Sequence, residues 1–307
     1  MGTSARIEGE NTPGVIDGVT VLRNVSLDRK VDLGDKVAVV GGGNVAVDCA
    51  RTALRLGSKE ITIIYRRTRA EMPACPEEVE AALHEGIKIL FLAAPVKVEK
   101  KGDLLNLTCI RMELGEPDAS GRRRPVPVKG SEFVTEFNSV VAAIGQVSDI
   151  PKTFGIEVDK AGTIKTDPET LETSRGGVYA GGDAVTGPES VIRAIAQGRQ
   201  AARAIDIYLG GDGNIDEVLT QDRYCNPCVG KAENFVEQPR AKMPELPLEK
   251  RTGFVEVELG FNEGAAIKEG KRCLQCAYRK LVPPVPMPPP PVRVTEALAL
   301  QEAESIV

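Results

Sequence analysis

Tryptophan is absent from this 307-residue chain, histidine occurs once, and aromatic residues make up only 4%. So few flat side chains leave no platform on which bases could stack. The one histidine, His84, lies in a charged stretch with helical spacing and reads as a surface residue. That argues against a Ser–His–Asp hydrolase and against a histidine-ligated metal centre. Neither sign of charge dominates, because Lys+Arg number 39 and Asp+Glu 44, a net of −5. Such a chain has no global attraction for nucleic acid or anionic lipid. No apolar run approaches the ~20 residues of a membrane span. The N-terminal stretch lacks the charged-then-apolar pattern of a signal peptide. A cytoplasmic protein is expected.

What is present is ordinary in bulk and unusual in two places. Hydrophobic residues are 42% and charged residues 27%, values of a globular protein. The length suits about two domains at ~150 residues each. Glycine (31) clusters at Gly41-Gly42-Gly43 and Gly181-Gly182, and cysteine numbers 7. An odd cysteine count fits poorly with a disulfide framework.

Turns at Thr12-Pro13-Gly14 and Asp17-Gly18 open the chain, followed by a short helix around Val19–Asn24. Lys36–Val40 is an almost unbroken apolar run, the mark of a strand buried on both faces and therefore parallel. Val45–Leu56 carries helical spacing, with Gly57 where a C-cap belongs. Ile61–Tyr65 is a second strand, so residues 36–65 form one βαβ unit. Glu77–Glu85 reads as a helix and Lys88–Leu92 as a strand. Alternating stretches at 96–100, 105–114 and 126–134 predict a β-meander, and Ser139–Ile144 another buried strand. Val178–Ala180 reads as a short strand and Pro188–Leu209 as a long helix, thinned by Ala194, Ala196, Gly198 and Ala201. Residues 211–292 lose periodicity. Pro283–Pro291 holds seven of the 21 prolines, which predicts a stiff polyproline spacer. A short amphipathic segment, Val294–Ile306, follows.

Gly41-Gly42-Gly43-Asn44-Val45-Ala46 is GxGxxA between a strand and a helix. Gly41 makes the tight turn, Gly43 lets backbone approach a pyrophosphate, and Ala46 lets helix and strand pack closely. The helix start offers N–H groups and a favourable dipole to phosphate. At the end of the second strand stand Arg66 and Arg67, with no acid before Glu71. An acid there would serve a free ribose hydroxyl, whereas arginine pairs with a 2′-phosphate. Solvated surface charge is the bland alternative, and NADP(H) is the expected ligand. Asp183, after Gly181-Gly182, stands at a strand end before a helix, where an acid can accept from a ribityl hydroxyl. The same trio also fits a plain turn.

Cys225/Cys228 and Cys273/Cys276 are two CxxC pairs. Four thiolates suit a [4Fe–4S] cluster or, less well, Zn²⁺. A redox dithiol and unrelated cysteines are the other readings. Cys49 and Cys109 read as small buried hydrophobes.

Four ordered motifs carry a resemblance: GGGNVAVDCAR at 41–51, YRRTRAEMPA at 65–74, AIGQ at 143–146 and GVYAGGDAVTGPESVIRAIAQGRQA at 177–201. Together they resemble the glutamate synthase small-subunit family, flavoproteins with two dinucleotide-binding domains that include NADP(H)-binding subunits of electron-bifurcating transhydrogenases. The resemblance implies hydride transfer between NADP(H) and FAD, with electrons passing to iron–sulfur clusters. It puts NADP(H) at Gly41–Ala46 with Arg66, Arg67, Gly145 and Gln146, and the loop bearing Glu71 and Cys75 near the nicotinamide; for Cys75 a packing role is the favoured reading and a reactive thiol the alternative. It puts FAD at Gly182, Asp183, Glu189, Ser190 and Val191.

In that family a first FAD-binding βαβ unit precedes these motifs, and this sequence has none. A partner chain supplying it, a shortened form of the protein, and a module that has lost flavin all fit. The expected fold is α/β: a Rossmann-like NADP(H) domain with a β-meander (31–146), a lead-in (1–30) and C-terminal half (147–210) of an FAD-type domain. A cysteine-bearing tail (211–282) and a Pro-rich spacer with a short terminal helix (283–307) complete it. Expected partners are other subunits of an electron-transfer complex, one supplying the FAD half or Fe–S clusters. The second hypothesis is a non-catalytic NADP(H)-binding scaffold.

Overall fold

Strand Lys36–Val40 shows why its residues are all apolar. Val37 and Val39 enter one core cluster while Ala38 and Val40 enter another. Alternate side chains leave a strand on opposite faces, so a sheet covered on both sides needs apolar residues at every position. In this computed structural model, which describes residues 7–118, 121–215 and 239–272, the chain divides into two units. One comprises residues 1–217 with 247–255, the other 218–246 with 256–307.

The first unit is built on a five-stranded parallel sheet. In chain order its elements begin with β1 (Val15–Asp17), α1 (Gly18–Ser26), β2 (Lys36–Val40), α2 (Asn44–Arg55) and β3 (Glu60–Tyr65). They continue with α3 (Pro76–His84), β4 (Lys88–Phe91), and the strands β5 (Ala93–Lys101), β6 (Leu104–Pro117), β7 (Arg123–Pro127), β8 (Phe133–Phe137) and β9 (Ser139–Ala142). The parallel sheet runs β1-β9-β2-β3-β4. One face buries Val37, Val39, Ile61, Ile63 and Val141 against α1, α2 and α3, including Val21, Ala46, Ala50, Ala53 and Val79. Each fully buried Val or Ile contributes roughly 1.5–3 kcal/mol of transfer free energy.

The other face meets the meander. Strand β6 pairs antiparallel with β5 and β8 along its first half and with β7 along its second. Leu105, Leu107, Cys109 and Phe137 from that layer pack on Ala38, Val40, Ile64 and Val140. The result is the expected α/β fold with a β-meander. Three differences lie in short elements. The stretch 126–134 is split between the end of β7 and the start of β8, with a turn between them. Val15–Asp17 forms strand β1 beside β9, and three residues are too few to show a period. Val178–Ala180 is no strand: Tyr179 makes a single bridge to Glu172, because no neighbouring strand continues the pairing.

Residues 183–208 form a short helix, α4 (Asp183–Thr186), and a long one, α5 (Val191–Tyr208). Helix α5 starts three residues later than Pro188 suggested, since Ser190 is its N-cap and accepts from the Arg193 N–H at 3.3 Å. None of its 18 residues is buried. Residues 247–255 return to this unit as a strap with one 3-10 turn, Leu248–Lys250.

In the second unit, Leu246 and Leu259 N–H groups donate to Val257 and Pro244 carbonyls, each at 2.8 Å, to form a small hairpin. Helix α6 (Glu263–Gly270) follows, capped by Asn262.

Candidate functional site: the glycine turn and the end of β3

Strand β2 ends at Val40, and the chain turns through Gly41 into α2. Gly41 has φ +149°, and a Cβ there would stand 2.1 Å from the Ala143 carbonyl oxygen at the end of β9. A Cβ on Gly42 would strike the Tyr65 ring at 2.3 Å. These two glycines are required by the protein's own packing. Gly43 differs, because a Cβ there would meet no protein atom within 4 Å. The open space lies at the start of α2, where first-turn N–H groups point out of the helix. No packing contact of the protein itself calls for a glycine at that position.

A loop seals one side of the turn. Ala74 N–H donates to the Gly42 carbonyl at 3.1 Å, and Cys75 N–H donates to the Asn44 side-chain oxygen at 2.9 Å. Tyr65 Oη donates to the Glu71 carbonyl at 2.7 Å. Asn44 is thus a tether for the 68–75 loop. Ala46 is fully buried in the helix–sheet contact, and Val45 packs partly buried beside it. Gly145 and Gln146 follow β9, which neighbours β2, and so reach the same edge of the sheet as the glycine turn.

At the end of β3 the two arginines part company. Arg66 is exposed, while Arg67 is only 5% exposed. Arg67 donates to Asp118 Oδ2 and to the Arg123 carbonyl, both at 2.7 Å. Its guanidinium holds the meander and faces no open cofactor space. Alternation would send Arg67 to the helix face with Ile61, Ile63 and Tyr65; instead the strand has ended at Tyr65, and Arg67 turns to the meander. The Glu71 carboxylate accepts from both the backbone N–H and hydroxyl of Thr68, forming a capping box. It serves its own loop. Cys75 donates its thiol to Glu77 at 3.0 Å, and that bond raises the thiol's pKa. Burial pushes Cys49 and Cys109 up to about 12, so both are inert packing groups. His84 is exposed.

The loop at Gly182 is held against α5. Gly182 N–H donates to the Gln197 side chain at 2.6 Å, and a Cβ on Gly182 would touch Ala194 Cβ at 3.4 Å. The narrow residues of α5 therefore receive the loop. Glu189 N–H reaches Asp183 Oδ1 at 3.4 Å, and the Glu189 carboxylate pairs with Arg193 at 2.7 Å. Val191, Ile192 and Ile195 stand 76%, 81% and 67% exposed.

At the far end of α2 is an ion cluster that sequence reading missed. The Glu85 carboxylate is 1% exposed and accepts from Arg55 at 2.6 Å, Arg51 at 3.0 Å and Arg251 at 3.1 Å. Desolvation raises its pKa, but the arginine bonds prevail and hold it below the usual range. Arg251 comes from the strap, 166 residues away in sequence. A cleft of about 360 Å³ lies alongside, lined by Leu54, Leu248 and Gly253 among others. Cys225, Cys228, Cys273 and Cys276 lie outside the described residues, as do 283–291 and 294–306. Among the described residues no cluster of His, Cys, Asp or Glu could hold a metal, and no helix is long and apolar enough to cross a membrane.

Parallel sheet, glycine turn and helix start define a dinucleotide-binding domain of the oxidoreductase type. The chain belongs to the pyridine nucleotide-disulphide oxidoreductase family, whose model matches residues 2–198. It is 47% identical over 290 residues to the NADP(+)-dependent formate dehydrogenase subunit beta of Moorella thermoacetica, covering 91% of this chain and 40% of that protein. It is 39% identical over 229 residues to the glutamate synthase [NADPH] small chain of Halomonas elongata, covering 68% and 48%. The chain thus spans less than half the length of these relatives. Among solved structures, a variant of FprA from Mycobacterium tuberculosis superposes with TM-score 0.57 at 19% identity, over 68% of this chain and 62% of that one. That likeness concerns the fold.

Proposed function

We propose that this chain is the NADP(H)-handling part of a flavin- and iron–sulfur-dependent oxidoreductase, acting in the cytoplasm as one component of a multisubunit complex. The reading rests first on the open space at Gly43 between two glycines that the fold itself requires. The relatives' names support it, since both carry NADP(+) or NADPH and both are subunits or small chains. When bound, NADP(H) supplies or accepts hydride, and a flavin exchanges that pair of electrons with one-electron carriers.

This chain's own residues bind and orient. The helix α2 start holds the pyrophosphate, with Gly43 admitting it closely. Arg66 pairs with the 2′-phosphate, the only group distinguishing NADPH from NADH. Gly145 and Gln146 border the same edge. Asn44, Glu71 and Tyr65 fix the 68–75 loop against the turn. No side chain is assigned a proton transfer, because hydride transfer needs none.

Gly182, Asp183, Glu189, Ser190 and Val191 form one side of an FAD site that a further polypeptide segment completes. The exposed Val191, Ile192 and Ile195 of α5 support this, because a contiguous apolar face of that kind marks an interaction surface. They favour it over a stand-alone scaffold without flavin. Cys225, Cys228, Cys273 and Cys276 together suit a [4Fe–4S] cluster.

The test is a fluorescence titration with NADPH and NADH, paired with a flavin spectrum of the isolated chain. NADPH should bind far more tightly than NADH, and the isolated chain should carry little flavin. Equal binding of both nucleotides would remove the NADP(H) assignment. Stoichiometric FAD on the isolated chain would overturn the idea of a site completed by another segment.

A further inference from the structure

The tip of the β6–β7 hairpin is tied to the end of β3 by one side chain. Arg67 inserts its guanidinium between the two arms, bonding Asp118 on one side and the Arg123 carbonyl on the other, each at 2.7 Å. The Arg67 side chain is 6% exposed and that of Asp118 24%, so the arginine end of the pair is shielded from solvent. The tip is closed on itself as well: Asp118 N–H donates to the Arg122 carbonyl at 2.7 Å, and Arg122 N–H donates to Asp118 Oδ1 at 3.3 Å. Arg123 turns its own guanidinium back onto the Leu114 carbonyl at 2.7 Å. A further link runs through Leu92, whose N–H donates to the Arg67 carbonyl at 3.2 Å and whose carbonyl accepts from Met112 at 2.8 Å. The Arg67 carbonyl is therefore tied through Leu92 to β6, and the hairpin tip lies within one arginine side chain's length of the strand end that carries Arg66.

That tip is basic. Arg122, Arg123 and Arg124 are consecutive, and Arg124 is exposed. A buried, well-bonded pair is costly to assemble and adds little net stability over an apolar contact.

We infer that Asp118 is a positioning residue for the 2′-phosphate subsite: by holding Arg67 it fixes the hairpin tip beside Arg66, and Arg122 and Arg124 add positive charge to the same phosphate monoester. This rests on the NADP(H) reading above. Selectivity for the phosphorylated cofactor then depends on a sheet other than the one bearing the glycine turn.

The experiment compares 2′,5′-ADP with 5′-AMP binding to the full chain, since the two ligands differ at the phosphate in question. Asp118→Ala should weaken 2′,5′-ADP about tenfold, the scale of one charge-assisted contact, with 5′-AMP changed less than about twofold. Asp118→Glu, which keeps the charge, should restore most of the loss. The double variant Arg122→Ala/Arg124→Ala lies on the tip and leaves the Arg67 pair intact; it should weaken 2′,5′-ADP alone, even if Asp118→Ala fails to fold. Equal weakening of both ligands by Asp118→Ala would reduce the pair to a packing role. Tighter or unchanged 2′,5′-ADP binding in either variant would overturn the proposal. Arg66→Glu separates the two levels. If it abolishes 2′,5′-ADP selectivity while the Asp118 and tip variants leave it intact, this inference alone fails. If Arg66→Glu has no effect, the phosphate site is misplaced and both readings fall.

Discussion

Alanine at Gly43 should separate folding from cofactor binding. The added methyl group would meet no protein atom within 4 Å. Gly43 has φ −91° and ψ 178°, extended backbone that alanine adopts without strain. The residue is the N-cap of α2, where alanine is worse than glycine by about 0.5–1 kcal/mol. A chain of this size loses roughly 2–4 °C in melting temperature per kcal/mol, so Gly43→Ala should melt within about 4 °C of the parent. The methyl group instead occupies the space through which a pyrophosphate reaches the helix N-terminus. Losing one phosphate contact costs about 1.5–3 kcal/mol, which weakens NADPH at least tenfold. Gly41→Ala is the contrasting control. Its Cβ would lie 2.1 Å from the Ala143 carbonyl at φ +149°, so it should lower the melting temperature sharply. Melting curves and NADPH fluorescence titration on the two variants decide the matter. Unchanged NADPH affinity in Gly43→Ala would refute the cradle.

Other predictions concern the rest of the unit. Glu85→Ala leaves the buried Arg55 and Arg251 guanidinium groups without their acceptor, and should cost about 3–5 kcal/mol, read by thermal or urea unfolding. A loss below about 1 kcal/mol would show the cluster to be dispensable. Because the folded state holds the Glu85 pKa below its ordinary value, its contribution is present above the unfolded pKa and fades as pH drops through the folded one. Unfolding free energy of the parent should therefore fall below about pH 4.5, and Glu85→Gln should flatten that slope. Ile192→Ser with Ile195→Ser on α5 should reduce association with the complementary FAD-bearing segment while leaving NADPH binding intact, as followed by co-purification. Cys75, whose thiol pKa is raised by its bond to Glu77, should react with iodoacetamide more slowly than a free thiol, and Glu77→Gln should speed it.

Much of this was readable because burial imposes a period. The two-faced strand β2 and the helix α2 between Gly43 and Gly57 follow from apolar spacing alone. Four parallel strands and the meander were recoverable on the same ground. The strap was hidden because its hold on the fold is ionic: Arg251 meets Glu85 across 166 residues, and pairing at that range leaves no local pattern. Arg67 was placed with the cofactor by its position after β3, yet its guanidinium is engaged by Asp118 and the Arg123 carbonyl. Glu71 was placed near the nicotinamide by resemblance alone, and its carboxylate is consumed by the Thr68 cap. Charged residue types reveal where chemistry is affordable; only packing decides which charges are already engaged.

The central claim is that the end of β3 reads a 2′-phosphate. Dissociation constants of NADPH and NADH, measured on the parent and on Arg66→Glu, address it most directly. Losing a charge-assisted pair and adding a repelling carboxylate should weaken NADPH by about a hundredfold or more. NADH should change by less than about threefold, because it has no phosphate at that position. Equal losses for both nucleotides, or none for either, would contradict the account.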